Sequence, residues 1–73
     1  MATLEYPVII SPIPQADGGG FAAVVPDLPG CMSDGDTPEE AIANVRDAIA
    51  EWVATALARG VEVPAPTRHD AIA

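Results

Sequence analysis

The sequence predicts an α+β domain: a small antiparallel sheet with one long helix packed on one face, in the order β-β-β-α-β. Three observations predict it. Apolar residues alternate between Leu4 and Ile10 with the two-residue period of a strand. A second apolar run, Phe21 to Val25, follows a stretch rich in glycine and proline. Beyond Thr37-Pro38-Glu39-Glu40, apolar residues recur at three- and four-residue steps as far as Leu57, the period of an amphipathic helix.

In the first strand Leu4, Tyr6, Val8 and Ile10 share one face, and Glu5 and Pro7 share the other. Pro7 removes a ladder donor, which favours the edge of a sheet. Between Ser11 and Gly20 the pair Asp17-Gly18 heads three consecutive glycines, and such residues accept the positive φ angles of a hairpin turn. Phe21 to Val25 is apolar on both faces and is expected to be buried more fully than the first strand. Pro26-Asp27-Leu28-Pro29-Gly30 cannot continue a ladder and forms a stiff loop, after which a short third strand is expected around Cys31 to Ser33.

The helix start combines an N-cap threonine, a proline at the first helical position and a glutamate three residues after the cap, all favourable there. Glu39 and Glu40 also complement the positive end of the helix dipole by about 0.3–1 kcal/mol each. Ile42, Val45, Ile49, Trp52, Val53, Ala56 and Leu57 read as one continuous stripe. Gly60 follows as the left-handed residue that ends a helix. Val61-Glu62-Val63 alternates as a brief last strand, closed by Pro64-Ala65-Pro66. The domain is thus expected over residues 1–66, with 67–73 as a flexible tail.

Size and charge narrow the function. A chain of 73 residues holds one domain and buries only about 60% of its unfolded surface. One cysteine and one histidine, Cys31 and His69, leave no disulfide framework and no structural zinc site, so a homo-oligomer, dimer or higher, is the expected supplement. Trp52 reads most simply as a core residue, although a large aromatic in so thin a domain is also the candidate for that contact. Eleven acidic residues against three arginines give a net charge of −8, which disfavours direct nucleic-acid binding and favours a basic partner. The N-terminus lacks a secretory pattern and no membrane-length apolar run follows, so the expected compartment is the cytoplasm, with no membrane contact.

Asp27, Asp34, Asp36, Glu39 and Glu40 gather around one loop and one helix start. Three readings stand beside one another. The carboxylates cap the helix and support turns; they face the cations of a partner in place of phosphates; or they chelate a divalent metal. The third is disfavoured, because most are sequence neighbours and a catalytic metal needs carboxylates converging from separate strands. No catalytic residue, metal ligand or cofactor site is therefore assigned. Cys31, without a histidine or second cysteine near it in sequence, reads as a small buried hydrophobe.

Two segments, Phe21-Ala-Ala-Val-Val-Pro-Asp-Leu-Pro-Gly-Cys31 and Gly35-Asp-Thr-Pro-Glu-Glu-Ala41, closely resemble the signature of the HicB-like antitoxin family, and the resemblance extends over nearly all the chain. It implies a β-β-β-α-β module with a partial ribonuclease H-like sheet. It also implies a partner, a HicA-like toxin that is a small basic mRNA-cleaving ribonuclease, bound and occluded by the antitoxin. Asp27, Leu28, Pro29, Gly30 and Asp34 are the expected toxin-binding residues. Many family members append a DNA-binding domain, which the sequence to Ala73 does not contain, so autorepression is not expected from this polypeptide alone. The alternative is an orphan oligomeric scaffold or regulator without a toxin.

Overall fold

In a computed structural model of the chain, residues 6–67 are described. Strands β1 (Ile9–Pro12), β2 (Phe21–Val24) and β3 (Met32–Gly35) form an antiparallel sheet in the order β1-β2-β3. One helix, α1 (Pro38–Ala58), packs on one face. The α+β architecture is the one the periodicities predict. The first strand begins later than its alternation suggests, Leu4 and Glu5 lying outside the described residues, and it does take the edge. The third strand starts one residue late because Cys31 belongs to the loop, where its N–H donates to the Leu28 carbonyl (2.9 Å) and its carbonyl accepts from the Val25 N–H (3.0 Å).

The turn between β1 and β2 is wider than a two-residue hairpin. A short 3₁₀ segment, Gln15–Asp17, precedes Gly18 at φ 112°, and the Ile13 N–H donates to the Gly20 carbonyl (2.8 Å) to resume the ladder. At the helix start, Thr37 Oγ1 accepts from the Glu40 N–H (3.0 Å), while Glu40 Oε1 accepts from the Asp36 N–H (2.6 Å). This reciprocal cap satisfies one of the donors that a helix start leaves unpaired, the Glu40 N–H, together with the N–H of Asp36 just before the N-cap, and is one residue wider than its usual form. At the other end Gly60 has φ 71°, the Val61 N–H donates to the Ala56 carbonyl (2.8 Å) and the Gly60 N–H to that of Leu57 (3.2 Å). This is the Schellman pattern expected of a C-terminal glycine.

The last strand expected at Val61–Val63 is not formed: residues 61–67 carry no regular secondary structure and lie outside the sheet. Pro64 and Pro66 lack N–H groups on alternate residues, and Pro7 lacks one before β1, so a ladder along this segment is short of donors. The segment is held by side chains instead. Tyr6 Oη donates to the Pro64 carbonyl (2.6 Å), and Thr67 donates to Asp27 through its N–H and its hydroxyl, both at 2.7 Å. Thr67, where the tail was expected to begin, is therefore attached to the domain, and 68–73 lie outside the described residues.

The core joins the inner face of the sheet to α1. Ala23, Val25, Leu28, Cys31, Ala41 and Val45 are buried together with Tyr6, and Phe21, Ala48, Ile49 and Trp52 pack against them. The register pairs Ile9 with Val24 and Val24 with Met32, so these three form a cross-strand row on the outer face, which α1 leaves uncovered. The second strand is buried more fully than the first, as expected: Phe21, Ala23 and Val25 point inward, while Ala22 and Val24 are half-buried on the outer face.

The apolar stripe of α1 is only partly covered by the sheet. Ala41, Val45, Ile49, Trp52 and Ala56 meet the core, whereas Leu57 is 68% exposed. The apolar arc spans more of the helix than one narrow sheet can cover, because α1 lies mainly over β3 and β2 and touches β1 least.

Candidate functional site

The loop between β2 and β3 is built around Leu28, whose side chain is wholly enclosed (0% exposed). Its N–H donates to the Val25 carbonyl (3.1 Å). Trp52 Nε1 reaches from α1 to donate to the Pro29 carbonyl (2.9 Å), so the indole joins helix and loop. The loop thus exposes Pro29 and Gly30 and half-buries Asp27, with Leu28 as the anchor beneath them. Replacing Trp52 by Phe, which keeps most of the ring but not the donor, is expected to cost about 0.5–1.5 kcal/mol and leave a folded domain. Urea titration of both proteins reads this directly; an unchanged midpoint would mean that water replaces the bond without loss.

The acidic residues divide between two ends of the sheet. Asp27 sits at the loop end, engaged by Thr67 and close enough to Tyr6 that its charge adds to the effect of burial in raising the phenol pKa. Asp34, Asp36, Glu39 and Glu40 occupy the β3–α1 end, all exposed. Glu40 is committed to the cap, and the Asp34 carbonyl accepts from Asn44 Nδ2 (2.8 Å). Asp34 shares the outer face of β3 with Met32, two residues before it. Among the described residues, no three His, Cys, Asp or Glu side chains converge as a metal site would require. Cys31 is 4% exposed and burial raises its thiol pKa, which keeps it protonated.

Two apolar surfaces were not anticipated as such. The outer sheet face presents Ile9 at 56% and Met32 at 60% exposure on either side of Val24, with Asp34 bordering the row. On the other side of the sheet, a groove of about 880 Å³ runs between α1 and the uncovered part of β1 and contains Tyr6, Val8, Ile10, Ile42, Val53 and Leu57. Trp52 lies outside this groove and lines a smaller hollow of about 490 Å³ with Cys31, Met32, Glu51 and Arg59. The sequence carried a signal for the groove, since Ile42, Val53 and Leu57 sit to one side of the Val45–Trp52 line at a 3.6-residue period.

Residues 6–73 match the model of the HicB-like antitoxins of bacterial toxin–antitoxin systems. The chain belongs to the HicB-like antitoxin family. Among its relatives are an uncharacterized 14.9 kDa protein of Haemophilus phage HP1, 37% identical over 59 residues, and a UPF0150 protein of Synechocystis, 33% identical over 61 residues. A UPF0150 protein of Thermoplasma acidophilum is 31% identical over 61 residues. The matches cover 81%, 84% and 84% of this chain, and 41% of the phage protein, 80% of the Synechocystis protein and 84% of the Thermoplasma protein. This HicB-like chain therefore spans less than half of the phage relative's length. The family is one of antitoxins, which implies a toxin as partner in general. No helix among the described residues is long and apolar enough to cross a membrane.

Proposed function

We propose that this HicB-like chain is the antitoxin of a type II pair, and that it binds and occludes a HicA-like, basic, mRNA-cleaving ribonuclease in the cytoplasm. The observation that carries this reading is the uncovered outer face of the sheet. Its row of Ile9, Val24 and Met32 has the apolar centre of a protein interface, and Asp34 lies at its border, with Asp36 and Glu39 following at the β3–α1 end. An apolar centre with a charged rim is how specific interfaces are organised. A ribonuclease must present cations to the phosphates of its substrate, and carboxylates at that rim take the place of the phosphates.

On this reading the protein acts by occupancy and turns over no substrate. The loop residues Asp27, Pro29 and Gly30, held in shape by buried Leu28, extend the contact at the opposite end of the sheet. The reading also includes self-association of the domain, for which the small core argues.

The test is co-expression with a basic HicA-like ribonuclease carried in the same genome, scored by rescue of growth and by affinity in purified form. Asp34→Lys and Glu39→Lys are each expected to weaken binding by about tenfold, roughly 1.4 kcal/mol, with the loss shrinking as salt is raised. Rescue and affinity indifferent to both reversals and to Ile9→Asp would remove the outer face from the interaction. Cleavage of structured RNA by the purified chain in the presence of Mg²⁺ would show that occupancy is not its whole activity.

A further inference from the structure

We propose that the groove between α1 and β1 is the seat of a second copy of this chain, which leaves the outer sheet face to the toxin. The proposal rests on the self-association included in the reading above and gives it a place. Three observations lead there.

Charge is the first. The chain carries eleven acidic residues and a net charge of −8, so two copies repel each other over most of their surfaces. The lining of the groove contains no carboxylate and a single charged side chain, Arg46. Here an anionic copy meets the least repulsion and one favourable cation. A basic ribonuclease meets the opposite: nothing in the groove attracts it, whereas the Asp34 border does.

The second observation is self-complementarity. Ile42, Arg46, Ile49, Val53 and Leu57 follow one another along α1 at steps of four, three, four and four residues, the spacing of a seam between two packed helices. Ala50 and Ala54 flank that seam in the groove, and their small side chains let a second helix axis approach. A two-fold axis near the middle of the seam sets the same patch of each copy against the other, as closed dimers require. Antiparallel helices would bring Ile42 of one copy towards Leu57 of the other. Val8 and Ile10, half-buried in the lone domain, would be covered at the same time.

The third observation is how little the domain buries alone. Its buried apolar residues among those described are eight, three of them alanines. Leu57, at 68% exposure, adds nothing to the lone domain and becomes useful only when covered.

Sedimentation of the full chain over micromolar concentrations, together with ribonuclease capture, tests the proposal. Wild type is expected to dimerise, and to dimerise more tightly as salt rises from about 0.05 to about 0.5 M, because screening relieves repulsion between like-charged copies; toxin binding should weaken over the same range. Leu57→Asp is expected to weaken the dimer by about tenfold or more with an unchanged far-UV circular dichroism spectrum, while Leu57→Met retains it. A wild type that stays monomeric overturns both the groove and self-association. A dimer indifferent to Leu57→Asp and Val53→Asp overturns the groove and leaves self-association standing. Loss of ribonuclease capture by Leu57→Asp with the dimer intact assigns the groove to the toxin and overturns the proposal equally.

Discussion

Leu28→Ala is expected to lower the free energy of unfolding by about 2–5 kcal/mol, the range for removing a fully buried leucine side chain that its neighbours cannot replace. A domain of this size has in total about 4–11 kcal/mol at 0.05–0.15 kcal/mol per residue, so a large part of its stability is at stake. Leu28 is at 0% exposure and lies in the one core cluster with Val25, Cys31 and Val45. Its surroundings are fixed by backbone hydrogen bonds, from Leu28 to Val25 and from Cys31 to Leu28, so the cavity cannot close by a small shift of the loop. Equilibrium urea unfolding followed by circular dichroism measures the loss, and a change below about 1 kcal/mol would show that the loop collapses into the space. If the proposed toxin contact includes this loop, the same substitution should also reduce toxin affinity without altering any surface group, because the loop that carries Asp27, Pro29 and Gly30 loses its anchor.

Gly35→Ala is the second large effect, and it acts by crowding. A methyl group at position 35 would meet the Ala41 nitrogen at 2.5 Å and the Glu40 carbonyl carbon at 2.8 Å. Both are backbone atoms of the first helical turn, which cannot swing aside as a long side chain would. The start of α1 must lift from β3, loosening Ala41, which is wholly buried, and straining the cap between Thr37 and Glu40. A loss of about 1–3 kcal/mol is expected, readable as a lower thermal midpoint and faster amide exchange in the first helical turn. Wild-type stability in this variant would mean that the helix start tolerates displacement, and that glycine is present there for another reason.

Much of the fold was legible because local chemistry and tertiary structure agree. Thr37, Pro38 and Glu40 declare one helix end and Gly60 the other, and the structure places both within a residue of that reading. What the sequence could not show was the partner of each polar group across the chain. Asp27 reads as a turn residue or a partner contact, yet its carboxylate accepts from Thr67, forty positions away. Trp52 reads as core or subunit contact; it packs against the core, and its indole donor also ties α1 to Pro29 within the same chain.

The last strand failed for a related reason. Alternation at Val61–Val63 satisfies the period of a strand, but a period says nothing of whether a neighbour with free donors lies alongside, and prolines remove those donors. The two apolar surfaces were half-legible. Ile42, Val53 and Leu57 were read as part of one stripe, and periodicity marks the apolar side of a helix but not how wide a sheet will be available to cover it.

The position of Pro12 has a wider consequence. Ile13 directs its N–H toward β2, so by strand alternation the imide of Pro12 turns to the outer margin, where a donor would otherwise stand ready. A protein that shows Ile9 and Met32 to solvent on strands of four residues would be at risk of templating end on end into fibres. On the β1 side this blunted, brief margin presents fewer main-chain donors for such stacking, beside apolar side chains that stay on display.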